Sequence, residues 1–128
     1  MANVESRLNL DFTNMNKYQR VYAKQGDLGR SLYVTLYRNG SEIILDSSTE
    51  SATFNAKRKG TTNTITSVCV IDSNGKLRIN FSDVPTLTAT PGTVLCEFLI
   101  TSTGGALALR TPTFEIVVDE AVVITPGS

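Results

Sequence analysis

Along Leu32-Tyr33-Val34-Thr35-Leu36-Tyr37 every second residue is aliphatic and those between are amphipathic. Successive side chains of an extended chain point to opposite sides, so this period of two predicts a strand with one buried face. Asn39-Gly40 follows and tolerates the positive φ angles of a tight hairpin, so residues 41–46 are expected to return beside their predecessor. Residues 51–57 alternate again, with Ala52, Phe54 and Ala56 on the inward phase. Residues 65–71 are denser: Val68, Cys69, Val70 and Ile71 in succession predict a central strand covered on both faces. Asp72-Ser73-Asn74-Gly75 has the composition of a type I′ turn, after which Leu77, Ile79 and Phe81 complete a second hairpin.

Between residues 82 and 92 two prolines interrupt the pattern, because proline cannot donate to a sheet ladder, and a crossing loop is expected. Residues 93–101 form the clearest strand, with Val94, Cys96, Phe98 and Ile100 inward. Ser102-Thr103-Gly104-Gly105 turns the chain, and residues 106–119 alternate through Phe114, Ile116 and Val118 after Pro112, which marks a bulge or the start of a second, edge stretch. Residues 1–17 place Leu8, Leu10 and Phe12 at spacing two, with Met15 beyond. They predict either a first strand or an arm that adds to another subunit's sheet. Punctuation of this kind, with few helix signals and no linker, predicts a single all-β domain over residues 1–128. The expected form is an antiparallel, immunoglobulin-like β-sandwich of about seven or eight strands.

Composition narrows the chemistry. The chain has no histidine, which removes every imidazole-based catalytic dyad or triad and most histidine-containing zinc sites. Two isolated cysteines, Cys69 and Cys96, cannot make a four-cysteine site, and in their apolar runs they read as small buried hydrophobes. Asp11, Asp27, Asp46, Glu97 and Glu115 are the carboxylates that could meet across a cleft for glycoside hydrolysis, but acidic residues mostly occupy solvated faces, so the chain is expected not to be an enzyme. No cofactor or metal is expected. Twelve basic residues balance twelve acidic ones, which removes the positive field that attracts nucleic acid. No run approaches the roughly 20 apolar residues of a membrane helix, so neither nucleic acid nor membrane is an expected partner and the chain is expected to be intracellular.

Three segments taken in order carry a resemblance. They are Gln25-Gly26-Asp27 with Arg30 before the strand at Leu32, then Phe54-Asn55-Ala56-Lys57, and Thr111-Pro112-Thr113-Phe114 near the end. Together they resemble the N-terminal domain of the phage baseplate upper protein family, found in tails of phages of Gram-positive bacteria. The resemblance implies a structural attachment domain, made in the host cytoplasm and sited in the virion tail. It would link the tail hub to the receptor-binding apparatus of a host adhesion device through protein–protein contacts, with other tail or baseplate proteins, or copies of itself, as partners. Asp27 and Arg30, from the first motif, are candidate interface residues, as are Tyr33 and Tyr37, whose large rings with polar tips suit an interface anchor. The competing expectation is a carbohydrate-binding or adhesion module, which a chain without tryptophan serves poorly.

Overall fold

The computed structural model describes residues 3–14, 19–105 and 108–122. It contains ten strands: β1 (Val4–Asp11), β2 (Arg20–Lys24), β3 (Arg30–Arg38), β4 (Ser41–Ile43), β5 (Glu50–Arg58), β6 (Thr64–Ile71), β7 (Leu77–Asn80), β8 (Gly92–Ser102), β9 (Ala108–Arg110) and β10 (Phe114–Asp119). Among the described residues the helical pieces are short 3₁₀ turns alone. The strands follow one path, β1-β3-β7-β6-β5-β8-β10-β2, with β4 beside β3 and β9 beside β8.

This arrangement corrects the expected antiparallel topology. β1 runs parallel to β3, and β2 parallel to β10. The cause is a crossing: after β1 the chain passes to the far end of the path to make β2, then returns to lay β3 beside β1. The two ends of the path stay close, since the Gln19 side-chain amide donates to the Asn9 carbonyl. One mixed sheet of ten strands, curled nearly into a barrel, therefore stands where an immunoglobulin-like sandwich of seven or eight was expected.

The inward phases fill the interior. Leu8, Leu10, Leu32, Val34, Leu36, Ala52, Phe54, Ala56, Leu77, Ile79, Val94, Cys96, Phe98, Ile100, Phe114, Ile116 and Val118 are all buried. Phe54 and Phe98 are cross-strand partners with ring centroids 5.5 Å apart, and Phe98 lies 5.7 Å from Phe114, so one aromatic row binds β5, β8 and β10. The crossing loop is part of the core: 3₁₀ turns at Phe81–Asp83 and Pro85–Leu87 bury Phe81, Val84 and Leu87. β1 is a first strand paired within its own chain rather than an arm crossing to another subunit, while Met15 lies outside the described residues.

Two further expectations change. β6 is central in the path but not covered on both faces: Cys69 is buried, whereas Val68 is 84% and Val70 59% exposed. A dense apolar run fixes a strand's propensity, not what covers it. The turn at residues 72–75 is not type I′, because Asn39 is the one non-glycine with positive φ among the described residues, and Asn74 is not. Asp72 Oδ1 instead accepts from the Asn74 and Lys76 amides at 2.9 and 3.0 Å, and Gly75 takes the left-handed position at φ 75°. The Asn39-Gly40 hairpin does have positive φ at both residues and pairs Arg38 with Ser41, although the returning strand ends at Ile43.

Cys69 and Cys96 are free and buried, as their apolar surroundings predict. They sit opposite Ala52 and Ala56 of β5, four positions apart, which is roughly 13 Å along a strand and beyond disulfide reach. Burial pushes the Cys69 thiol up to about 12 and raises Cys96 as well. Both thiols are therefore expected to resist a thiol reagent at pH 8 in the native protein and to react together once denaturant unfolds it. Gly75 gives a second prediction. A Cβ there would strike the Ile44 side chain and lie 2.7 Å from the Leu45 nitrogen, whereas at Gly40 it would meet open space. Gly75→Ala is expected to cost about 2–4 kcal/mol, combining left-handed strain with overpacking, and Gly40→Ala about 1–2 kcal/mol, both read from urea midpoints.

Candidate interaction face

The four candidate residues occupy three places. Asp27 and Arg30 build the turn between β2 and β3: Arg30 Nε donates to Asp27 Oδ2 at 2.5 Å, and the Lys24 amide donates to the same oxygen at 2.9 Å. Thr88 ties that turn to the crossing loop, donating from its hydroxyl to the Asp27 carbonyl at 2.9 Å and accepting the Gly26 amide on its own carbonyl. Burial alone would raise the Asp27 pKa, but the Arg30 hydrogen bond and the Lys24 amide outweigh it and hold the carboxyl below its usual value. Tyr37 is half-buried at the end of β3, where it lines a cleft of about 440 Å³ with Asn9, Asp11, Gln19 and Pro112.

Tyr33 sits in a built surface feature. The register places Arg7 of β1, Tyr33 of β3, Arg78 of β7 and Val70 of β6 side by side across four strands, on the outward face. Arg7 Cζ lies 4.7 Å and Arg78 Cζ 4.8 Å from the centre of the Tyr33 ring, so two guanidinium groups flank one phenol. Glu5 clamps both cations: its Oε1 accepts from Arg78 Nη1 at 2.6 Å and its Oε2 lies 2.9 Å from Arg7 Nη2. Asp72 stands 3.9 Å from the other Arg78 nitrogen. The result is a flat, pre-organised plate whose outer cation, Arg7, has a side chain 70% exposed, with Val70 and Val68 exposed alongside.

Arg7, Glu5, Arg78, Val68 and Val70 were not legible as surface partners of Tyr33 in the sequence. Glu5 and Arg7 reach Tyr33 through a parallel β1–β3 pairing that no hairpin signal announces, and Arg78 reaches it through the equally non-local β3–β7 pair. The hydrolase carboxylates are each taken up by a different partner: Asp11 by Thr13 and the Gly40 amide, Asp46 by Ser48, Glu97 by Arg110 at 3.2 Å and Glu115 by Arg20 at 2.8 Å. No cluster of three or more acidic or cysteine side chains among the described residues is placed to hold a metal ion. No helix among them is long and apolar enough to cross a membrane.

The lowered carboxylate of Asp27 fixes the sign of a pH effect. A folded-state pKa below the unfolded value, about 3.9, contributes stability that is present above that value and is lost as pH falls through the folded one. Asp27→Asn is expected to cost no more than about 1 kcal/mol at pH 7, and the difference between variant and parent urea midpoints is expected to vanish near pH 2.

No known protein family and no curated protein matches the sequence. A solved structure does match: the N-terminal domain of phage TP901-1 ORF48, with a TM-score of 0.68 over 91% of this chain and 98% of that one, at 17% identity. The chain thus has the fold of a phage baseplate protein's N-terminal domain, the kind of domain its three sequence motifs resemble.

Proposed function

We propose that this chain is a structural attachment domain of a phage tail baseplate, linking the tail hub to the receptor-binding apparatus through protein–protein contacts. The observation that carries the proposal is the fold shared with the ORF48 N-terminal domain over nearly the whole length of both chains. The Arg7–Tyr33–Arg78 plate supplies the anchor. Its side chains are held in place before any partner arrives, so little conformational freedom is lost on contact, and Tyr and Arg are the residues that most often dominate interface energetics. The domain acts without catalysis or cofactor, in the virion tail.

The carbohydrate-binding alternative draws less support. The outer face of β5, β6 and β8 forms a trough of about 490 Å³ lined by Asn55, Lys57, Thr66, Leu95, Glu97 and Arg110, and none of its lining residues is aromatic. Sugar rings would find no stacking platform there.

Light scattering of the domain alone and mixed with a candidate tail-hub protein tests the proposal. A stable mixed complex is expected, weakened about tenfold or more by Tyr33→Ala and by Arg78→Ala. Absence of a complex with a folded hub protein, or a complex indifferent to both substitutions, would overturn the attachment reading or its assignment to this face respectively.

A further inference from the structure

The outward rows of β1 and β3 end at a cleft. One row sets Arg7 beside Tyr33, and four positions further along, roughly 13 Å, Asp11 stands beside Tyr37. There the two strands meet the turn that follows β1, the approach to β2 at Gln19, the Asn39-Gly40 hairpin and Pro112 ahead of β10, around a space of about 440 Å³. That size falls within the range of about 300–1,000 Å³ typical of small-molecule sites.

Asp11 is the fixed point of the cleft wall. Its Oδ1 accepts from the Thr13 hydroxyl at 2.6 Å and the Thr13 amide at 2.9 Å, and its Oδ2 from the Gly40 amide at 2.9 Å. The Thr13 hydroxyl first, then the Thr13 and Gly40 amides, hold the carboxyl below its usual value, so it is charged at neutral pH. A carboxylate oxygen accommodates about two donors, so Oδ1 is filled while Oδ2 keeps one acceptor position. Gln19 spends an amide donor on the Asn9 carbonyl and keeps its side-chain oxygen. The Asn9 and Asn14 side-chain amides and the Tyr37 hydroxyl have no hydrogen-bond partner among the described residues.

This wall selects a ligand by charge and by hydrogen-bond type. Among the described lining residues Asp11 is the one charged group, so an anion is repelled. A bare cation would use the acceptors and leave the amide donors idle, and an apolar molecule would strand both kinds of group. A hydroxyl donates and accepts at one atom, which suits Asp11 Oδ2, the Gln19 oxygen and the two asparagine amides together. These groups come from separate segments around the cleft rather than in file along a strand edge, the arrangement for a compact ring and not for an extended peptide. Tyr37 and Pro112 add apolar surface, an aromatic wall that the trough on β5, β6 and β8 lacks. We infer that the cleft binds a neutral sugar ring, with Tyr37 and Pro112 against its carbon–hydrogen face and Asp11, Gln19, Asn9 and Asn14 on its hydroxyls. The inference does not rest on the attachment reading, whose plate lies on the Arg7–Tyr33 row.

Titration of the isotope-labelled chain with glucose, galactose, N-acetylglucosamine and glucuronate, each to about 100 mM and followed by amide NMR shifts, provides the test. Saturable shifts at Asn9, Asn14, Gln19 and Gly40 are expected for at least one neutral sugar, with a Kd of about 1–10 mM and glucuronate about fivefold weaker or more. Asn9→Ala and Tyr37→Ala are each expected to weaken binding about three- to tenfold. The Asn9 side chain is exposed, so the spectrum of that variant away from the cleft is expected to match the parent and show that the fold persists. Absence of saturable shifts at these residues with all three neutral sugars overturns the inference and leaves the cleft to a protein segment. Glucuronate binding as tightly as the neutral sugars, or sugar binding that both substitutions leave untouched, overturns it equally.

Discussion

Strand β6 serves two neighbours in turn, and the shape of the domain follows from that. Over residues 64–69 it is held by β5, and at Val70 and Ile71 it passes to β7. The hand-over carries the hydrogen-bonded path from the strands around β8 to those around β3 without a break, so a single curled sheet encloses the phenylalanine row and the crossing loop. At the change of partner Cys69 is buried, its thiol 3.4 Å from the Arg78 carbonyl, so the inward phase stays apolar where β5 gives way to β7. The cost of the same geometry is a flank before the hand-over that no strand among the described residues pairs with.

Electrostatics in this molecule is local. Its charges balance in number, and the ion pairs join residues of one turn, neighbouring strands or, for Glu5 and Arg78, the two strands that flank β3. Exposed pairs of this kind add little to stability individually. Their effect is to fix side-chain positions: Glu5 holds two guanidinium groups at once, and Asp27 locks the turn that starts β3. Charge here sets surface shape more than it drives folding.

What the sequence disclosed is the inward phase of each strand. Leu32, Val34 and Leu36, then Ala52, Phe54 and Ala56, then Val94 through Ile100 are buried as the period of two requires, because that alternation is a local property of extended chain. The Asn39-Gly40 hairpin was legible for the same reason. Pairing between distant strands was not. The parallel contacts of β1 with β3 and of β2 with β10 leave no local trace, and the exposure of Val68 and Val70 reflects the absence of a neighbouring layer, which a run of apolar residues cannot reveal. Of the candidate interface residues, Tyr33 alone sits in a flanked surface plate. Asp27 and Arg30 make the contacts of a turn, and Tyr37 lines a separate cleft.

The plate around Tyr33 is assembled from residues far apart in the chain. Glu5 and Arg78, which meet through a 2.6 Å hydrogen bond, are separated by 73 residues, and the ring between their strands belongs to β3. A nascent polypeptide that has formed the Asn39-Gly40 hairpin, or even everything up to β6, has Glu5 but still lacks the second cation, Arg78. Contacts this distant in sequence are also slow to form, because the intervening chain must first be closed into a loop. A partner that reads this surface therefore engages chains in which β1, β3 and β7 have come together and passes over those in which they have not.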